Sequence, residues 1–397
     1  MKDSPIRGAL RIIATFFVLP CLAATLSLFV VTHFLLRIDR VDTANEQNWV
    51  DDVFRLISDR HVDAPRRDEL AFSAIRGMVS SLDDYSDFVD LEEYSRFREQ
   101  NEGQYVGIGF KILTGGDPAT VLYPFPGSPA EQAGLMPGDR IIAVDGEDCT
   151  KLSHDDVIGR IKKENGEGIA VRLRVQPFSA PGAPPLPSYE VNVPRANIEL
   201  PSVYDAHLLA ADPRIGYVRV AAFQEQTAKE LYAALLRLDA QGITSLVLDL
   251  RQNRGGLLDQ AIDVASFFLE PGDTVVTTEG RTRNSNQRYA AHKGAGAFKR
   301  LKLAMLVDSR TASASEVLAG ALKDHMRAVL VGERTYGKGV VQSVIPRTYE
   351  VAGEARTGLL KITTSRYLTP SGRAIDKNSG LVPDAWVSLD EASAALL

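Results

Sequence analysis

Cysteine is nearly missing from the 397-residue chain: Cys21 and Cys149 are its only two, they sit in different segments, and they cannot build a disulfide framework. Cysteine usage therefore leaves the compartment open. Histidine is scarce too. His33, His61, His154, His207, His292 and His325 stand without HxxxH or CxxC spacing, so the sequence predicts no metal centre, and no motif asks for a cofactor. A surplus of positive charge is also absent. The 45 Lys and Arg against 51 Asp and Glu leave a formal charge of -6, which argues against a nucleic-acid surface spread over the whole protein. No internal repeat is visible. With 45% hydrophobic and 24% charged residues, the composition is that of a globular chain with room for two or three domains.

Charge of either sign is missing from Ile12 to Leu36. As a helix this run spans about 37 Å at 1.5 Å per residue, enough to cross a bilayer. It is longer than the apolar region of a cleaved signal peptide and lacks a small-x-small site before Arg37. Residues 12–36 are therefore expected to be an uncleaved transmembrane signal anchor. Pro20 ahead of Cys21 weakens a lipid-attached alternative. Lys2, Arg7 and Arg11 precede the run, whereas Arg37 and Arg40 follow it mixed with Asp39 and Asp42. That bias favours a cytoplasmic N-tail (1–11) and a body outside the cytoplasm.

Beyond the anchor, residues 45–94 carry apolar residues at helical spacing: Trp49, Val53, Leu56 and Ile57, then Leu70, Ala74, Ile75, Met78 and Val79. From Gly103 to Val193 the pattern changes to strand-like runs (106–113, 140–144, 170–175, 189–193) punctuated by Gly and Pro, a small β-rich domain. Pro177–Ser188 is too poor in core residues to pack and reads as a hairpin loop. From Ile215 onward apolar strands alternate with amphipathic helices, expected near 227–240, 257–268 and 313–325. This alternation argues for an α/β core on a parallel sheet covered on both faces. Sites in such sheets lie at strand C-termini.

Two segments there carry chemistry. The strand Leu303–Val307 runs into TASASEVLAGALKD, where a serine at a strand-to-helix turn can be lifted into a cleft with helix N-terminal amides around it. Taken alone, the same serines read more simply as a helix cap, with Glu316 in the first turn. A serine nucleophile also needs a base. His325 lies at the far end of the same helix, about three turns away, and suits the helix C-terminus. Lys338 in RTYGKGVVQ is better placed, since glycines on both sides let the backbone fold tightly. To act near neutral pH its amine must lose about 2–3 pKa units through desolvation, and taken by itself the segment reads more simply as an ordinary turn lysine. GKG is no phosphate loop, because the upstream Gly and the following Ser or Thr are missing.

Together, TASASEVLAGALKD and RAVLVGERTYGKGVVQ resemble the active-site stretch of the carboxyl-terminal processing (tail-specific) peptidases. LVLDLRQNRGGLL, LLKITTSRYLTPSGRAID and GLVPD extend the likeness over almost all of the chain past the anchor. The resemblance implies a serine endopeptidase with a Ser313–Lys338 dyad and Gln342 orienting the lysine. It implies an oxyanion hole from the Ala314 amide and that of Gly255 or Gly256. Arg254 departs from the proline common in relatives. Asp249, Arg251 and Glu316 are read as supports.

YVGIGF and PFPGSPAEQAGLMPGDRIIAVDGEDC resemble the circularly permuted PDZ domain of the same family. A substrate tail would then add as a strand, its carboxylate held by loop amides at Gln104, Tyr105, Val106, Gly107, Ile108 and Gly109. SLDDYSDF resembles the family's N-terminal region, which packs on the PDZ domain or on a second subunit, so a homodimer is an expectation; an adaptor is left open, its identity unknown. The expected organisation is a crotonase/ClpP-like α/β core (196–397), an inserted PDZ domain (95–195), a helical N-terminal region and one transmembrane helix. The resemblance implies a bacterial inner-membrane protein with its catalytic body in the periplasm, acting on proteins with free C-termini. A catalytically silent PDZ scaffold tethered to the membrane is the alternative; a crotonase-like acyl-transfer enzyme is disfavoured by the PDZ and GKG segments.

Overall fold

The computed structural model describes residues 46–113, 119–162, 167–180, 182–293, 295–351 and 354–388. Among these residues no helix is long and apolar enough to cross a membrane, and the expected span 12–36 lies outside them. Two compact units are present, divided after Ser81. The first contains helices α1 (Glu46–Arg60) and α2 (Arg67–Ser80), with the Arg67 guanidinium 5.4 Å from the centre of the Phe54 ring. Trp49, Val50, Val53, Leu56 and Ile57, on α1, are exposed.

The second unit, from Leu82, opens differently from the expectation. SLDDYSDF leads into a strand, β1 (Asp87–Asp90), and then helix α3 (Leu91–Glu102). Helical spacing misreads this stretch because β1 pairs antiparallel with a segment near the other end of the chain, Gly358–Lys361. Asp90 and Glu93 cap α3 reciprocally, each side chain accepting the other's backbone N–H.

The PDZ-like domain follows as β2 (Gln104–Gly107), β3 (Phe110–Ile112), β4 (Val121–Pro124), α4 (Pro129–Gln132), β5 (Arg140–Val144), β6 (Glu147–Asp148), α5 (His154–Lys162), β7 (Ala170–Gln176), β8 (Tyr189–Pro194) and β9 (Ala196–Glu199). Strict alternation makes β7 an amphipathic strand: Val171, Leu173 and Val175 are buried while Ala170, Arg172 and Arg174 are exposed. With Ile108, Val121, Leu135, Ile141, Val157 and Val193 they form a core of their own. Pro177–Ser188 is the loop of the β7–β8 hairpin, as its composition predicts.

The remaining elements are β10 (Val203–Leu209), β11 (Asp212–Val220), α6 (Thr227–Asp239), β12 (Ser245–Asp249), α7 (Leu258–Ser266), β13 (Thr274–Gly280), β14 (Gln287–Ala290), β15 (Lys302–Val307), α8 (Ala314–Asp324), β16 (Ala328–Gly332), β17 (Val340–Val351), β18 (Glu354–Leu368) and β19 (Ala385–Trp386). They build a six-stranded sheet in the order β10-β11-β12-β15-β16-β19, parallel except at the β10 edge. On α6, Leu231, Ala234, Leu235 and Leu238 recur at helical spacing and are buried; each leucine contributes about 1.5–3 kcal/mol by leaving water. Helix α8 is buried on every face from Ala314 to Leu322, which accounts for its run of Ala, Ser and Gly. A second, antiparallel sheet joins β1, β13, β14 and the long β17–β18 hairpin. The alternation of strands and helices did not announce that sheet, since its partners are far apart in sequence.

Candidate active site

Three neighbouring parallel strands, β12, β15 and β16, end side by side, and each releases one segment of the site. Their register aligns Asp249 with Leu306, and Val307 with Gly332. The loop after β12 is anchored first. Asp249 is fully buried, pairs with Arg251 (Nη2 to Oδ2 2.5 Å) and accepts the Tyr217 hydroxyl at 2.7 Å. Asn253, also fully buried, donates from Nδ2 to the Val220 carbonyl at 2.9 Å and accepts the Gly255 N–H at 2.8 Å. Its own carbonyl accepts the Ala312 N–H at 3.0 Å and the Ser315 hydroxyl at 3.1 Å, stitching this loop to the serine turn.

On that turn Ser313 has φ 58° and ψ -121°, a conformation that costs a non-glycine residue of order 1–3 kcal/mol and persists only where surroundings enforce it. The enforcement is visible. Ser313 N–H donates to Glu316 Oε2 at 2.9 Å, and the Ser313 carbonyl accepts the Glu316 and Val317 amides at 2.8 and 3.0 Å. The helix amides turn to the carbonyl, and Ser313 and Glu316 close a capping box at the start of α8, leaving the serine hydroxyl half-buried. The simpler reading of Ser313 as a helix cap therefore stands: it occupies the cap position, in a strained backbone that a cap alone does not require.

Gly255 lies against this serine. A Cβ there would stand 2.8 Å from Ser313 Cβ and 2.9 Å from the Ala314 nitrogen, so no side chain fits. The two glycines are not equivalent donors, however. The Gly255 N–H is spent on Asn253, whereas the N–H groups of Gly256 and Ala314 have no acceptor among the described residues. The amides free to meet an oxyanion beside Ser313 are therefore those of Gly256 and Ala314.

The third segment carries Lys338. A Cβ on Gly337 or Gly339 would stand 2.1 Å from the Asp376 carbonyl or 1.8 Å from that of Ile375, so only glycines admit this tight path. Glu316, a fully buried carboxylate, gathers it in. Oε1 accepts the Thr335 hydroxyl at 2.5 Å and the Gly337 N–H at 2.7 Å, and Oε2 accepts the Lys338 N–H at 2.8 Å. Burial raises the Glu316 pKa above its ordinary value while these four donors oppose the shift. Burial first, and Lys361 second, lower the Lys338 pKa, with Glu316 opposing them. The half-buried amine makes no hydrogen bond to Ser313 in this conformation; its Nζ stands 5.1 Å from the centre of the Tyr85 ring. Gln342, at the bulge of the β17–β18 pairing, has a buried Nε2 with no hydrogen-bond partner among the described residues. His325 is remote, as its sequence position predicts: it ends α8 and its Nε2 lies 2.8 Å from the Thr274 carbonyl.

In the PDZ-like domain the six candidate residues divide. One edge of Gln104–Gly107 is taken by Ala196–Glu199, and the Tyr105 ring lies under the Lys162 ammonium at 4.3 Å, its phenol pushed up to about 12 by burial. Ile108 is buried in the domain core, and the Ile108 and Gly109 carbonyls accept the amides of Ala130 and Phe125. The N–H groups of Ile108 and Gly109 have no acceptor among the described residues, so this pair is open to a carboxylate. Sequence reasoning did not single out Tyr85 or Asn253, although both lie in quoted motifs; nothing local marks either as a contact of the site.

Known proteins resemble this chain along most of its length. The peptidase family S41 matches residues 214–387 and the PDZ domain family matches residues 96–176. A carboxy-terminal-processing protease of Bartonella bacilliformis is 32% identical over 369 residues, covering 90% of this chain and 80% of that protein. The photosystem II D1 C-terminal processing protease is 30% identical with a TM-score of 0.47, covering 87% of this chain and 93% of that one. An S41 protease of Bacteroides fragilis has the same fold at 19% identity and TM-score 0.51, covering 87% and 91%. A matching PDZ region, a matching catalytic region and that extent of shared sequence lead to one assignment: the chain belongs to the carboxy-terminal-processing proteases, serine peptidases of family S41 that carry a PDZ domain.

Proposed function

We propose that the protein is an endopeptidase that binds the C-terminal tails of extracytoplasmic proteins through its PDZ domain and cleaves them by a Ser313–Lys338 acyl-enzyme mechanism. The observation that carries this reading is the enforced backbone of Ser313 beside two open amides, with Lys338 drawn in by the same carboxylate. Neutral Lys338 takes the Ser313 hydroxyl proton as Oγ attacks the scissile carbonyl. The Ala314 and Gly256 amides receive the oxyanion, each worth about 2.7–4 kcal/mol in the transition state. The Lys338 ammonium returns the proton to the departing amine, and water activated by the same lysine then releases the acyl group. Gln342 orients the amine. Lys338 must first swing toward Ser313, so the conformation described is a resting one.

In the same reading the core is crotonase/ClpP-like and residues 12–36 anchor it in a bacterial inner membrane with the body in the periplasm, where it pairs as a homodimer. The Ile108 and Gly109 amides hold the tail carboxylate. The direct test incubates the purified full-length protein with an unfolded protein and compares Ser313→Ala and Lys338→Ala. Loss of cleavage in both supports the dyad, and cleavage surviving in both refutes it. A parent inactive on every substrate would leave the tethered PDZ scaffold.

A further inference from the structure

Tyr85 comes from the SLDDYSDF segment, far from the catalytic loops in sequence, yet its ring centre lies 5.1 Å from Lys338 Nζ. The phenol's contact with Tyr336 does not by itself fix the ring's place. The backbone does. Asp83 Oδ1 accepts the Tyr85 and Ser86 amides, both at 2.8 Å, Ser86 Oγ accepts the Thr363 N–H at 3.1 Å, and β1 continues the pairing along β18. The charged groups facing the Lys338 amine are Glu316 from α8 and Lys361 from β18. Around the ring stand Tyr336, Asp84 and Lys377; the Lys377 ammonium is 5.4 Å from the ring centre and paired with Asp84.

We propose that Tyr85 is a positioning residue for Lys338, its ring face being the seat on which the amine rests as an ammonium away from Ser313. The inference rests on Lys338 being the base. A ring face attracts the cation and is indifferent to the neutral amine, so it acts unequally on the two protonation states. Burial and Lys361 favour the neutral form, and the ring opposes them. A side chain that merely fills space has no such preference.

The experiment is the pH profile of kcat/KM for the full-length protein on an unfolded-protein substrate. Tyr85→Phe keeps the ring and retains the parent's acidic limb. Tyr85→Leu removes it and moves that limb to lower pH by about 0.5–1 unit. A leucine variant whose rate falls equally at every pH, or a phenylalanine variant whose limb moves as far as leucine's, overturns the proposal. Should a thermal melt show that the leucine variant does not fold, Tyr85→Trp decides, its stronger π face moving the limb upward; an unmoved limb there also overturns it. Lys338→Ala, run alongside, separates the two readings, since activity retained in that variant refutes the base assignment itself.

Discussion

Ser313 and Lys338 donate their backbone amides to one and the same carboxylate oxygen, Glu316 Oε2, at 2.9 and 2.8 Å. The proposed nucleophile and base thus depend on a single buried side chain, and the dependence is testable. Glu316→Gln keeps the shape but turns an NH2 toward donors, so two of the four lose their acceptor. Destabilisation of about 2–5 kcal/mol is expected, together with a fall in kcat of about 10²-fold from misplacement. A melting curve and a kcat measurement check both; unchanged values in each would show that Glu316 does not hold the two segments.

Activity should rise with pH along the titration of Lys338. Its amine is held below the ordinary lysine value, so the neutral form accumulates at a lower pH than in a free lysine. Lys338→Arg stays protonated throughout and should lose about 10²–10⁴-fold in kcat. Stability follows the same sign. Between the lowered folded pKa and the ordinary value near 10.5, the unfolded chain binds more protons, so stability rises with pH across that window. Lys338→Met should remove this rise, which melts at several pH values would read.

Gly255 touches Ser313 where any side chain would collide. Gly255→Ala is expected to displace the serine turn and lower kcat by about 10²–10³-fold with KM nearly unchanged, the pattern of lost transition-state stabilisation. If KM rises while kcat holds, the loop serves binding and the oxyanion assignment fails.

Tail recognition predicts a preference that chemistry alone does not create. A substrate with a free C-terminal carboxylate should be cut faster than its C-terminally amidated form. Gly109→Ala should erase the difference, since a Cβ there stands 2.5 Å from Ser128 Cβ and distorts the amide pair. Equal rates for free and blocked substrates in the parent protein would remove the PDZ domain from substrate selection.

Much of this was legible in the chain because it is local. The alternation of SLVLDL, LAMLVD and AVLVG with amphipathic helices announces the parallel sheet, and helices expected near 227–240, 257–268 and 313–325 form at 227–239, 258–266 and 314–324. SLDDYSDF was not legible as a strand, and the six-residue run at Gln104–Gly109 was not divisible into paired and open amides. Both outcomes depend on partners remote in sequence, Gly358–Lys361 and Ala196–Glu199.

By itself, then, the sequence determined the chemical inventory: a serine and a lysine in glycine-flanked turns after apolar strands, and a tail-reading domain ahead of them. Only the tertiary structure decided that Ser313 is held at positive φ, that Asn253 occupies the Gly255 amide and leaves Gly256 open, and that Lys338 rests over Tyr85. The reason is physical. Residue type sets what a group can do, but a donor's freedom and an amine's neighbours are set by which distant segments the sheet brings to the same end.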